Sequence, residues 1–278
     1  MSVAHAVAHG AFGRACLYEL DRPMVPHAHR EGHLIFHVSG PAAKVVIDGR
    51  HYPLNPLSAT AISPWQPHYF QPVDRRIPTL TLVLYIRPGW FVEASGQPAE
   101  ILRFGRPVVS MDDPLARLAA DTARLLAAQR GDDGSFEDRL GALTQAAYDQ
   151  TWQWQEGGPA GERAQPDFRD FRIRRAINLL SETLSQPIDL GTISRAAGLS
   201  RPHFFKLFRE QMGLPPTLYV NALRMERAIE RLARGEETVS EIGLDLGFAT
   251  PASFSRFFIA NGVIPPSAYR RSVLGAVN

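Results

Sequence analysis

A single cysteine, Cys16, is the only thiol in this sequence. No disulfide can close within the chain, and a reducing cytoplasm is the expected compartment. A lone Cys beside a strand reads as a small core residue rather than a redox sensor. No run approaches the ~18 apolar residues of a membrane span, so no membrane partner is expected. The opening stretch MSVAHAVAHGAFG lacks the basic start and long apolar centre of a secretory signal. No phosphate-cradling glycine loop and no Ser/His/Asp nucleophile set stands out, which leaves those chemistries without a foothold. A strong net charge is missing as well, with Lys+Arg 30 against Asp+Glu 28.

The charge is unevenly placed, however. From Arg163 onward the chain holds 16 Lys+Arg and 11 Asp+Glu; the part before it holds 14 and 17. The basic excess lies in the C-terminal part, where attraction to phosphate requires it. A hydrophobic share of 45% and a charged share of 21% are those of a folded chain, and 278 residues allow two domains.

One motif occurs twice. Ser200 to Pro216 reads SRPHFFKLFREQMGLPP, and Thr250 to Pro266 reads TPASFSRFFIANGVIPP. Each opens on a hydroxyl residue, a favoured helix N-cap. Phe204, Leu207 and Phe208 in the first copy, and Phe254, Phe257 and Phe258 in the second, fall at helical spacing and predict one buried face. The other face carries Arg201, Pro202, Phe205, Lys206 and Arg209, then Pro251, Ala252, Ser255 and Arg256. A short helix and a glycine turn precede each copy: Asp189 to Ala197 with Gly198, and Ser240 to Leu246 with Gly247. Thr238 and Glu241 have capping-box spacing. The pattern is a helix-turn-helix, twice.

This C-terminal third, from Phe168 to Arg271, resembles the DNA-binding domain of AraC/XylS-type transcription regulators, in LGFATPASFSRFF and the closing PPSAYRR above all. The resemblance maps base-reading positions onto Pro202, Phe205 and Lys206, and onto Ala252, Ser253, Ser255 and Arg256. The full expected DNA-contact set adds Arg201 and His203. Two such helices on a rigid connector would enter successive major grooves about 34 Å apart. Phe205 is apolar on a polar face; it either meets thymine methyl groups or packs under a neighbouring helix. The second copy, with IANGV after its aromatic pair, lacks basic residues there and is expected to make fewer phosphate contacts.

Before this third, residues 12 to about 105 read as short strands, with no helical pattern among them. VVIDG, ATAIS and TLTLVLYI are β-branched or alternating, and Asp48-Gly49 marks a hairpin turn. A β-barrel or sandwich follows. The order HAH, strand, DG turn, strand, SPWQPH resembles the cupin-type sensor barrel of many AraC-type regulators. Helical periods then run along Leu115, Leu118, Thr122 and Leu125, and along Phe136, Leu140, Leu143, Ala147, Thr151 and Trp154, an antiparallel hairpin. It packs on its own barrel, forms a dimer interface, or does both. The expected fold class is multi-domain β + α. A cupin-like effector-binding barrel spans 1–106, a helical hairpin 107–155, a Gly/Pro-rich linker 156–166 and a tandem helix-turn-helix domain 167–278.

Six of the nine histidines fall between His27 and His68: these two with His29, His33, His37 and His51. HAH, Glu31 and QPH resemble a cupin metal set, suited to Fe, Mn, Ni or Zn. The gap before the Glu is shorter than in that set, and the glycine-rich part of its second motif is missing. Sensor barrels of the resembled family mostly bind an organic effector without metal. Effector contacts are therefore assigned to His27, His29, His33, Trp65 and His68. Neither metal nor other cofactor is assigned, and His27, His29, Glu31 and His68 stand as the metal candidates. Trp65, Tyr69 and Phe70 form either an aromatic wall or ordinary core. The function expected is that of a non-enzymatic, cytoplasmic, homodimeric transcription regulator, an activator by type. Its partners would be double-stranded DNA, a small-molecule effector and RNA polymerase. A metal-dependent cupin enzyme with a helical appendage is the alternative.

Overall fold

The computed structural model of the chain describes residues 2–95, 103–128, 135–151, 170–186, 188–262 and 264–273. Its N-terminal part is built on two antiparallel sheets. In the first lie, in spatial order, β1 (Val3–Gly10), β2 (Gly13–Leu20), β8 (Thr79–Ile86), β3 (Gly32–Ser39), β6 (Ser58–Ile62) and β9 (Val108–Ser110). The second holds β5 (Arg50–Leu54), β4 (Ala43–Ile47) and β7 (His68–Pro72). The sheets stack face to face as a cupin-like sandwich, the second of the two forms the strand pattern allowed. Asp48 (φ 50°) and Gly49 (φ 79°) make the β4–β5 turn with the positive angles that a tight hairpin demands.

The larger sheet is covered on both faces, which explains the near-continuous apolar run TLTLVLYI. Alternate side chains of β2, β3 and β8 enter different cores. Ala15, Leu17, Leu34, Phe36, Leu82 and Leu84 meet a helical layer, while Cys16, Tyr18, Ile35, Val83 and Tyr85 face the smaller sheet. Cys16 is fully buried, and burial pushes its thiol up to about 11, so it behaves as core.

The helical layer is α2 (Asp113–Ala127) and α3 (Ser135–Thr151). Asp112 caps α2 by accepting from the Leu115 amide. The expected α3 stripe is buried from Phe136 to Thr151; Trp154 lies outside the described residues. On α2 the buried line runs through Leu115, Ala119, Thr122, Ala123 and Leu126, leaving Leu118 and Leu125 half-buried at its margin. Two features depart from the strand-only reading. Pro88 opens a short helix, α1 (Pro88–Ser95), whose Phe91 plugs the same core. The segment expected to begin the hairpin supplies β9, paired with β6.

The C-terminal part holds α4 (Phe171–Glu182), α5 (Leu190–Ala196), α6 (Arg201–Met212), α7 (Pro216–Arg234), α8 (Val239–Asp245), α9 (Pro251–Gly262) and α10 (Pro266–Ser272). The 156–166 stretch lies outside the described residues. Thr238 and Glu241 form the expected capping box. Thr250 caps α9 by accepting from the Ser253 amide, whereas Ser200 has cap backbone angles but no side-chain cap bond. A core of Ile173, Leu180, Phe204, Phe208 and Leu223 holds α4, α5, α6 and the start of α7 together. The rest of the domain shares its core with the sandwich: Ile229, Leu232, Ile242, Phe254, Phe258 and Tyr269 cluster with Val45, Phe70 and Val83.

Gly198 (φ 76°) and Gly247 (φ 78°) turn the two motifs alike, but only the second is crowded. A Cβ at 247 would stand 2.6 Å from the Gln186 carbonyl oxygen; at 198 it would meet nothing within 4 Å. Gly198→Ala is expected to cost about 1–2 kcal/mol for the left-handed backbone alone. Gly247→Ala adds a backbone clash and should cost roughly 2–4 kcal/mol. Urea unfolding of both variants checks this; equal losses would remove the close approach from the account.

Candidate functional site

Two surfaces present chemistry: the outer faces of α6 and α9, and a cavity at the seam between sandwich and helices. In α6, Phe204 and Phe208 are buried while Arg201, Pro202, His203, Lys206 and Arg209 are exposed. In α9, Phe254 and Phe258 are buried while Pro251, Ala252 and Arg256 are exposed and Ser255 is half-buried. Lys206 and Arg256 are thus both exposed at matching positions, and Lys206 Nζ lies 3.9 Å from an exposed Glu210. Such a surface pair adds little stability and leaves the ammonium available.

Two of the expected base readers have partners within their own helix units. Ser253 donates its hydroxyl to the Thr250 carbonyl at 2.6 Å and accepts from the Thr250 amide at 3.2 Å. It fastens the start of α9 rather than reaching outward. Phe205 is half-buried, edge-on to Phe204 at 5.9 Å, with the Arg201 guanidinium 5.7 Å over its ring. Both contacts lie within α6, and the ring also packs against the core of this motif. In the second motif Asn261 folds back to the Phe257 carbonyl, and Gly262 lets Met225 close in, since a Cβ there would stand 3.3 Å from its terminal methyl.

The seam cavity leaves about 60 Å³ of free space. The sandwich supplies Tyr18, Leu20, Ile35, Phe70 and Val83 as apolar wall; α7 and α9 supply Met225, Ile229, Phe258 and Asn261. His27, His29, His33 and His68 gather at its polar end, as expected. They come from the segment before β3, from β3 itself and from the first residue of β7, which an isolated bridge between His27 and His68 ties together. Trp65 does not join them. Held at φ 63° by an amide bond to the His29 carbonyl, it stacks on Tyr219 of α7 with centroids 5.0 Å apart. It is a seam contact and not a cavity wall. Of the other two aromatics, Phe70 lines the cavity and Tyr69 does not.

Burial lowers the affinity of all four rings for protons. His27 is brought down to about 4, and His29, His33 and His68 are held well below the usual histidine range, with the neighbouring rings and Arg14 adding to the effect on His29 and His33. The group is neutral at physiological pH. His33 also stacks on Tyr85, centroids 4.4 Å apart.

The cavity's strongest charge was not foreseen. Arg14 is buried, its guanidinium 3.5 Å over the Tyr85 ring and its Nε 3.9 Å from Glu31. Burial opposes the charge, but Glu31, Tyr85 and Tyr269 outweigh it and keep the group protonated. Its Nε has no hydrogen-bond partner. An arginine facing inward on the strand GRACLYEL, two residues from Cys16, was the available signal. Glu226 on α7, also at the cavity, has its acidity weakened by burial and pairs with Arg30 at 3.6 Å.

Comparison with known proteins finds relatives of both parts of the chain. Residues 15–144 match the AraC-like ligand binding domain, and residues 193–272 match a helix-turn-helix domain. The Lactose operon transcription activator of Staphylococcus xylosus is 26% identical over 128 residues, covering 46% of this chain and 46% of that protein. The Transposon Tn10 TetD protein of Escherichia coli is 30% identical over 111 residues, covering 39% of this chain and 80% of that one. The chain spans half or less of the length of the first curated relatives it matches. A crystal structure of wild-type ToxT from Vibrio cholerae, bound to an unsaturated fatty acid, aligns over 95% of this chain and 96% of that one. Its TM-score is 0.55 at 14% identity, a likeness of fold.

His9 closes the far side of the seam, its Nε2 3.0 Å from the Tyr269 hydroxyl of α10. Burial, then Arg14 and Arg87, lower it to about 4. Its ordinary value near 6.5 returns on unfolding, so the unfolded chain takes up the proton first. The contribution is whole above pH 6.5 and is lost as pH falls toward 4. His9→Gln should remove roughly 1–3 kcal/mol of the pH-dependent loss in that window, read from urea midpoints at several pH values.

Proposed function

Because the chain belongs to the AraC/XylS-type transcription regulators, we propose that it controls transcription by placing α6 and α9 in successive major grooves of double-stranded DNA. A small-molecule effector at the seam would govern that placement. One observation carries the reading: two repeated helices bury their aromatic pairs and leave a cation, Lys206 or Arg256, exposed at the same position. Arg256 suits guanine, whose O6 and N7 accept its two parallel N–H groups.

The seam cavity suggests how binding reaches the DNA-reading helices. Free space of about 60 Å³ admits a few waters, and nothing of drug size. An organic effector must therefore part the wall that α7 and α9 share with the sandwich. Its binding energy would favour arrangements in which those helices have shifted, which is the differential affinity a population shift requires. Apolar walls with one buried guanidinium fit a compact apolar molecule with an anionic group, held by Arg14.

The α2–α3 layer serves as the homodimer contact in this reading. One face packs on its own sheet, and Leu118 and Leu125, one heptad apart, flank it half-buried. Contact with RNA polymerase and residence in the cytoplasm complete the proposal.

DNA from around the protein's own gene tests the first part. Arg256→Ala and Lys206→Ala should each weaken specific binding roughly 10–100-fold at fixed salt while non-specific binding persists. An unchanged sequence preference in both would remove them as base readers. Sedimentation tests the second: Leu125→Glu should shift a dimer toward monomer, and an unaltered dimer would place the contact elsewhere.

A further inference from the structure

The buried histidines are oriented more strictly than effector contact requires. His27, His29 and His68 each set Nδ1 against a backbone carbonyl: Val25 at 3.0 Å, Glu31 at 2.9 Å and Gln66 at 2.7 Å. A carbonyl only accepts, so in each neutral ring Nδ1 holds the proton and Nε2 is a bare lone pair. One nitrogen from each of these three rings lies within 4.8 Å of the others. His33 joins them, its Nδ1 3.0 Å from His68 Nε2 and 3.2 Å from His29 Nε2.

That arrangement cannot satisfy itself. His33 Nδ1 carries at most one proton and can serve only one of the two lone pairs in front of it. If its proton sits on Nε2 instead, it serves neither, and His33 Nε2 is buried without a partner in either case. At least one lone pair is left facing its neighbours with no donor among the described side chains, at a buried position where that is costly. A cation at the centre would take all of them.

The geometry points to a divalent transition-metal site in which His27, His29 and His68 are ligands through Nε2 and His33 is the fourth imidazole. Nitrogens bound at 2.0–2.1 Å around one tetrahedral ion stand about 3.4 Å apart. The His33 separations of 3.0 and 3.2 Å lie close to that value. The carbonyl bonds behind Nδ1 are the support that fixes a ligand ring's tautomer and direction. Imidazoles select Zn(II), Co(II), Ni(II) or Fe(II) over Mg(II) and Ca(II). Glu31, a ligand candidate by sequence, is not one. Its carboxylate lies 3.6 Å from the protonated Nδ1 of His29 and 3.9 Å from Arg14 Nε, so it offsets charge from behind the ligands. The cavity has room for an ion and a water without the seam parting. This inference stands whether or not the protein binds DNA.

The test uses the untagged full chain, stripped with a chelator and then equilibrated with Co(II) or Zn(II). One equivalent of metal per chain is expected, with the visible absorption of four-coordinate, nitrogen-bound Co(II) that Zn(II) displaces and Mg(II) does not. His29→Gln and His68→Gln should each weaken Co(II) binding by ~100-fold or more. His51→Gln, at an exposed position, should match the parent. Circular dichroism reports whether the variants fold. Uptake well below one equivalent by the unaltered chain overturns the site whatever the variants do, as does undiminished Co(II) absorption in folded His29→Gln and His68→Gln.

Discussion

The structure depends on a hydrophobic core that ignores the boundary between its two halves. Val45, Ile47, Phe70 and Val83 of the sandwich cluster with Ile229, Leu232, Phe254 and Phe258 of the helical domain. Each such side chain gains ~1.5–3 kcal/mol on burial. Neither half could expose this surface without presenting a large apolar patch to water. The helices are therefore a wall of the seam cavity, and any change in its contents meets them directly. Arg30 with Glu226, Trp65 on Tyr219, and His9 with Tyr269 line the rim of the same joint with polar or aromatic contacts. The chain also closes a vulnerable edge here: Val273 bridges to Val7 on the outer strand β1.

Inside the joint, polarity is concentrated rather than spread. Four imidazoles and the Arg14–Glu31 pair lie together, while Asn221, Glu226 and Asn261 add separate polar groups to a wall otherwise of hydrocarbon and aromatic ring. Buried charge survives because Glu31 lies close and the Tyr85 ring receives the guanidinium.

Much of this could be read from residue order. The two helix-turn-helices were legible because their cues are local: Gly198 and Gly247 in left-handed turns, Thr238 with Glu241 at the cap, and aromatics at helical spacing. The histidines were legible as a group because five of the six fall within 25 positions of one another. Arg14 was not, because its partner Tyr85 lies on a strand paired across the sheet, and only pairing brings them together. Trp65 was misplaced because a turn residue beside the histidines in sequence swings the other way, on a backbone angle that residue type rarely adopts. The short helix α1 hid because eight residues give too few turns for a period to show. Phe205 and Ser253 lie on the outer face by spacing, yet their immediate neighbours occupy them.

The two helix-turn-helices are anchored unequally. The first is packed around a core of its own, which among the described residues Ala28 and Trp65 join from the sandwich; the second is part of the shared core. Sequence change therefore has unequal freedom in the two. In the proposed reading, outer-face drift in α6 would rewrite one half of an operator while leaving the seam cavity intact. Residues of α9 pack on the sandwich with one side and, in the same reading, would meet nucleic acid with the other. New target sites should arise through the first unit, with the second inherited alongside its sensor as a matched pair.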